Sequence, residues 1–206
     1  MNAYIPTISK DELNELPRGI FPGAVVVVDT VDLLNQALAV LNLQKVVGFD
    51  TETKPVFAKG HKNKVALLQL ATEDTCFLFR LNRLGLPAQI IDFFNNSKIL
   101  KIGLSIKDDF LMLRARSTGF DPKGFIELQS FVKDYGIEDN SLQKIFAIIF
   151  EKKISKSQRL SNWETDELSL GQKQYAALDA WACRKIYLEL SLHSACFFEN
   201  SEVGLR

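Results

Sequence analysis

One short segment constrains this chain more than any other: Val46-Val47-Gly48-Phe49-Asp50-Thr51-Glu52-Thr53. Its first half is apolar, β-branched and aromatic, which predicts a buried strand. Two carboxylates follow where the apolar run ends. Side chains two apart in a strand share a face, so Asp50 and Glu52 are expected to project together. In an α/β sheet the space outside the carboxyl ends of the strands is where ligand crevices form. Paired carboxylates repel, and each makes the other harder to ionise. A hard divalent cation such as Mg²⁺ or Mn²⁺ takes oxygen ligands and removes that cost. A strand running out into a solvated acidic turn fits the same residues, and the segment alone does not separate the two readings.

Composition narrows the setting. The 206 residues suffice for one domain with its own core. Lysine and arginine number 25, as do aspartate and glutamate, so a polyanion must be met by local clusters rather than by net charge. No apolar run approaches the ~20 residues of a membrane span. The first 18 residues carry Asp11, Glu12 and Glu15 and no apolar core, unlike a signal peptide. Cys76, Cys183 and Cys196 are too few and too scattered for a disulfide framework or a zinc site. A cytoplasmic location is expected, with no membrane partner.

In chain order, residues 1–23 hold Pro6, Pro17, Gly19, Pro22 and Gly23 and read as a lead-in segment. A strand is expected over Ala24–Val28, then a helix over Val31–Leu41 capped by Asp29 or Thr30. After the acidic strand, Val65–Ala71 and Thr75–Leu81 read as two more strands joined by the turn Thr72-Glu73-Asp74, making an antiparallel meander. Leu86–Asn95 is expected to be helical, Ile99–Gly103 a strand, Ile106–Ser117 a helix and Phe125–Leu128 a last strand. Helices follow over Ser141–Phe150 and Gly171–His193, the second opened by a capping box in Ser169-Leu170-Gly171-Gln172. This order predicts an α/β fold with a mixed sheet flanked by helices. The main domain is expected over residues 24–194, with a tail over 195–206.

Further acidic residues stand where such a sheet brings segments together. Asp108 and Asp109 open the helix after strand Ile99–Gly103, where the helix dipole also favours them. On the last helix Tyr175 and Asp179 are four apart and share a face. Asp179 sits in the apolar run Ala176-Ala177-Leu178-Asp179-Ala180-Trp181-Ala182, where a carboxylate is costly to bury unless paired or metal-bound. A boundary residue meeting a lysine or arginine is the plainer reading of Asp179 alone.

Taken together, these segments resemble the three motifs of DEDD-superfamily 3′-5′ exonucleases. Phe49-Asp50-Thr51-Glu52-Thr53 is similar to the first motif. Lys101-Ile102-Gly103-Leu104-Ser105-Ile106-Lys107-Asp108-Asp109 is similar to the second, in a register that makes Asp109 the functional residue. Tyr175-Ala176-Ala177-Leu178-Asp179-Ala180 is similar to the third. Val65-Ala66-Leu67-Leu68-Gln69-Leu70 and Leu160-Ser161-Asn162-Trp163 add to a likeness with the exonuclease domains of ribonuclease D and the Werner syndrome protein. Gln174 stands where the histidine branch has its histidine, and Tyr175 points to the tyrosine branch (DEDDy). His61 and His193 occupy no motif position.

The resemblance implies a ribonuclease H-like α/β fold with a mixed five-stranded sheet. It implies hydrolysis of the 3′-terminal phosphodiester of DNA or RNA to nucleoside 5′-monophosphates, with two divalent cations, Mg²⁺ or Mn²⁺. Asp50, Glu52, Asp109 and Asp179 are the implied metal ligands, Asp50 bridging both ions, and the Tyr175 hydroxyl is implied to orient the water. Two basic clusters suit a single-stranded or 3′-ended nucleic acid: Lys59, Lys62 and Lys64 after the acidic strand, and Lys152, Lys153, Lys156 and Arg159 before the last helix. Two solvated loops are the alternative for these. Trp163 is expected in the core. Asp50-x-Glu52 with Asp108-Asp109 also faintly resembles haloacid-dehalogenase-type phosphatases, which need Asp at the second position and have no use for Tyr175 and Asp179. An inactive nucleic-acid-binding module of the same fold is the other alternative, although all four motif carboxylates are present.

Overall fold

The structure, a computed structural model, describes residues 4–56, 63–117 and 119–202. In chain order it contains α1 (Lys10–Glu15), β1 (Ala24–Val28), α2 (Val31–Leu41), β2 (Val46–Thr53), β3 (Val65–Ala71), β4 (Thr75–Arg80) and α3 (Leu81–Leu84). There follow α4 (Ala88–Asn95), β5 (Leu100–Gly103), α5 (Ile106–Arg114), β6 (Phe125–Glu127), α6 (Leu128–Phe131), α7 (Leu142–Phe150) and α8 (Leu170–Glu202). A 3₁₀ turn, Val132–Tyr135, follows α6.

The strands form one mixed sheet in the order β1-β4-β3-β2-β5-β6. β2, β3 and β4 are the antiparallel meander that the short turn predicts, while β5 runs parallel to β2 and β6 parallel to β5. The sheet has six strands, one more than the five implied by the family resemblance. The sixth is β1, which forms the sheet edge, lying parallel to β4 and pairing Ala24 with Thr75 through Val28 with Phe79.

Strand alternation sorts the side chains into two cores. Val47, Phe49, Leu68, Leu70, Phe77 and Phe79 face α2, α4 and α5. Leu67, Ala71, Cys76 and Leu78 face α7 and α8. Every residue of β3 is buried, as a central strand covered on both sides requires. The acidic strand belongs to the middle of this arrangement, beside β3 and β5.

The long helix α8 lies directly on β2. Gly48 makes this close crossing possible: a Cβ there would stand 1.8 Å from the Ala180 carbonyl oxygen. Arg184 Nε donates to Val46 O at 3.2 Å, and Trp181 Nε1 to Glu73 O at 3.1 Å, fixing the helix in register. Its N-terminus carries the expected capping box, with Ser169 N bonded to Gln172 Oε1 and Gln172 N to Ser169 Oγ. The helix continues to Glu202, beyond the end expected near His193.

The lead-in is more ordered than its prolines and glycines predict. Ser9 and Glu12 form a capping box that starts α1, and Ile8, Leu13 and Phe21 join the core under α8. Arg18 bridges to Lys153, and the Lys153 ammonium donates to Asn14 O, so this segment is tied to the loop after α7.

Candidate metal and nucleic-acid site

Asp50 and Glu52 project from the same face of β2, as their spacing requires, and α8 lowers Asp179 onto them. One carboxylate oxygen from each of these three residues lies within 4.8 Å of the others. Asp50 and Glu52 are half-buried and Asp179 is buried. Burial, then mutual repulsion, drives the ionisation of the pair upward. The Asp50 carboxyl lies well above the usual carboxylate range, and Glu52 is pushed up to about 9. Burial raises Asp179 to about 7, against the opposing pull of a hydrogen bond from Tyr175 and the charge of Lys156. Asp179 Oδ1 is buried without a hydrogen-bond partner. A group of carboxylate oxygens that cannot all ionise together, one of them unpartnered, has the donor chemistry of a hard divalent-cation site.

Asp109 lies beside this group rather than within it. It is buried at the start of α5, whereas Asp108 is exposed, so the chain turns inward the residue that the motif register selects. Its carboxylate accepts a hydrogen bond from the Thr51 hydroxyl. Burial holds its ionisation up at about 6. Thr51 was not visible as a site residue, because alternation puts it on the opposite face from Asp50 and Glu52. The sequence marks Glu127 only as part of a strand. Its two carboxylate oxygens accept from Ser105 N and Ile106 N, each at 2.9 Å, which caps α5 from outside the helix. Ser105 itself takes a left-handed conformation at φ 61°.

Tyr175 is stacked against the fully buried Trp163 at 6.0 Å between ring centroids, and its hydroxyl bonds to Asp179. Burial and the neighbouring carboxylates raise its ionisation far above that of a free phenol. The group is therefore a hydroxyl at neutral pH and not a base. Two clefts flank the acids. One of about 320 Å³ opens beside Tyr175 and Leu178, walled by Arg18 and Ile20 of the lead-in. The other, about 390 Å³, lies between Thr53–Val56 at the exit of β2 and Asp108, Leu111 and Met112.

The basic residues divide. Lys156 and Arg159 are exposed but close enough to act on the acids, lowering Asp179 and Glu52 respectively. Lys153 is engaged with Asn14, and Lys152 lines a separate cavity with Trp181 and Lys185. Lys64 is exposed at the start of β3, while Lys59, Lys62 and His61 lie outside the described residues. Lys54, also in the first loop, pairs with Glu164 at 3.5 Å, an exposed contact of little energetic weight.

This sheet, with three acids gathered at one strand end under a helix, is the frame of a nuclease domain, and the sequence comparison agrees. Residues 25–193 match the family model described as 3′-5′ exonuclease, and the chain belongs to that family. It is 32% identical over 190 residues to the bifunctional 3′-5′ exonuclease/ATP-dependent helicase WRN of Mus musculus, a match covering 86% of this chain and 13% of that protein. The Nibbler EXO domain of Aedes aegypti superposes with a TM-score of 0.72 at 26% identity, over 80% of this chain and 86% of that one. Escherichia coli RNase D shares the fold, with a TM-score of 0.71 at 18% identity, over 82% of this chain and 45% of that one. The chain thus spans well under two thirds of the mouse protein and of RNase D. Among the described residues no helix is long and apolar enough to cross a membrane.

Proposed function

We propose that this chain is a metal-dependent 3′-5′ exonuclease of the tyrosine branch, hydrolysing the 3′-terminal phosphodiester of DNA or RNA to nucleoside 5′-monophosphates. The observation that carries this reading is the convergence of Asp50, Glu52 and Asp179 within 4.8 Å, with an Asp179 oxygen left unpartnered. These three residues would hold divalent cations, Mg²⁺ or Mn²⁺, and Asp109 would complete the set once released from Thr51. When bound, the two ions neutralise charge on the scissile phosphate and supply an activated water.

The chain's own groups do the rest. The Tyr175 hydroxyl, held protonated and anchored on Asp179, orients the attacking water without taking its proton. Trp163 packs behind the ring and fixes it. Lys156 and Arg159 present cations to the strand's phosphates at the mouth of the acidic group, supplying locally the attraction that a neutral chain lacks overall. The two flanking clefts give a single strand a path past the acids.

Mn²⁺-dependent release of mononucleotides from 3′-labelled DNA and RNA tests the proposal. Release that stops in EDTA supports it. Binding of the strand with no release in any metal would make the chain an inactive module of the same fold.

Two further results are expected. Asp109→Ala abolishes turnover while Asp108→Ala keeps most of it, because only the first is buried beside the acids. The reverse pattern in steady-state rates would place the motif one residue off. Lys156→Ala and Arg159→Ala each raise KM, and each flattens the dependence of log KM on log salt by about 0.7 per lost phosphate contact. An unchanged slope would mean that this loop does not touch the strand.

A further inference from the structure

Gln69 sits in the middle of β3 and is wholly buried, yet neither its amide nitrogen nor its amide oxygen has a hydrogen-bond partner. Buried polar side chains in that condition are rare and mark a use or a bound group. Its place in the sheet indicates which. Gln69 stands directly opposite Asp50 across the β2–β3 ladder and opposite Leu78 across β3–β4. Opposed residues share a face, with Cβ atoms about 4.5–5.5 Å apart. That face is the one α8 covers, where Leu67, Ala71 and Leu78 pack with Ala176, Ala180 and Cys183. Gln69 thus shares with Asp50 a face that is otherwise packed with apolar groups. Among the described residues, the other unpartnered buried side-chain atoms are Arg116 Nε, Trp163 Nε1 and Asp179 Oδ1, and only the last is an acceptor.

We infer that Gln69 is a positioning residue for the candidate metal site: its Nε2, unpartnered in the ion-free structure and opposite Asp50 in the ladder, would donate to the Asp50 carboxylate when metal binds and set which oxygen faces the ions. The inference rests on the proposed metal-dependent reading of that site. A carboxylate that binds metal is held by hydrogen bonds from behind, and loss of such a partner typically weakens metal affinity by about 10–100-fold. β2 offers Asp50 a backbone bond at Thr51. Gln69 is the side-chain donor on the neighbouring strand.

Gln69→Met tests this, since it keeps the volume and removes both polar atoms. In EDTA the variant melts at or above the wild type, because without metal the buried amide makes no hydrogen bond and its removal relieves that cost. Its affinity for Mn²⁺ alone, read by electron paramagnetic resonance of the free ion, falls about 10–100-fold. The Mn²⁺ concentration giving half-maximal hydrolysis rises by the same factor, while KM for the strand at saturating Mn²⁺ does not change. Gln69→Leu serves as a second variant with the same expectation. Unchanged Mn²⁺ affinity in either folded variant overturns the inference. So does a lower melting point in EDTA for both, which would make Gln69 a packing residue. A wild type that binds no Mn²⁺ sinks the metal-site reading itself. A wild type and a variant that bind equally sink only the role of Gln69.

Discussion

Asp50→Asn is expected to lose at least about 10²–10³-fold in turnover, the scale seen when a group acting on developing charge is removed, and yet to melt above the wild type in EDTA. The reason lies in the ion-free carboxylate group. Asp50, Glu52 and Asp179 are gathered within 4.8 Å under a helix, and burial and repulsion disfavour their charged forms. Replacing Asp50 with a neutral amide of the same shape relieves on the order of 1–3 kcal/mol. For a chain of this size each kcal/mol corresponds to roughly 2–4 °C.

The sign follows from proton linkage. The carboxyls ionise near 4 in the unfolded chain, but at about 7 for Asp179 and about 9 for Glu52 in the folded one. Between those values the folded state binds more protons, so its stability falls as pH rises. The wild type in EDTA should therefore melt progressively lower from pH 5 to pH 9, and Asp50→Asn less steeply. Mn²⁺ reverses the order, because a ligand at 100 times its Kd adds about 2.7 kcal/mol to the state that binds it. Thermal melts of both proteins, with and without Mn²⁺, check all of this. A wild type that gains nothing from Mn²⁺, or a variant that melts lower in EDTA, is incompatible with a shared carboxylate site.

Gly48→Ala is expected to be strongly destabilising. Its Cβ would stand 1.8 Å from the Ala180 carbonyl oxygen and 2.7 Å from the carbonyl carbon. Both atoms belong to the backbone of α8, which cannot yield as a side chain can. Overpacking ordinarily costs about 1–3 kcal/mol, and a clash with helix backbone belongs at or above the top of that range. The displaced helix also carries Asp179 away from Asp50 and Glu52, so Mn²⁺ stabilisation and turnover should fall with it. Gly119→Ala is the control: its nearest neighbour would be 3.9 Å away, and it should melt within about 0.5 kcal/mol of the wild type. A Gly48→Ala protein with wild-type melting and Mn²⁺ response would show that this glycine does not set the helix crossing.

How much of this could be read from the sequence depended on whether the cause was local. The i, i+2 spacing of Asp50 and Glu52 and the i, i+4 spacing of Tyr175 and Asp179 each state a shared face, and the structure shows both. The meander declared itself through β-branched runs around a three-residue turn, and α8 through its capping box. Thr30 proved to be the cap of α2, leaving Asp29 to pair with Arg83 at 3.0 Å. What escaped were contacts between distant segments. The Lys153 bond to Asn14 spans 139 positions, so the basic loop gave no sign that one of its cations anchors the lead-in. The Ser9–Glu12 capping box was present as a pattern but masked by the surrounding prolines. The Thr51–Asp109 bond spans 58 positions and crosses the sheet end, where alternation alone gives no warning.

The central claim is that this acidic group removes nucleotides from a 3′ end. Its most direct test is digestion of a 5′-labelled linear strand alongside a closed circular strand of the same sequence, in Mn²⁺ and in EDTA. The expected result is a ladder of 5′-labelled products shortening one nucleotide at a time in Mn²⁺, nucleoside 5′-monophosphates as the released species, an untouched circle, and no reaction in EDTA. Cleavage of the circle, or a labelled mononucleotide appearing first from the linear strand, would contradict it.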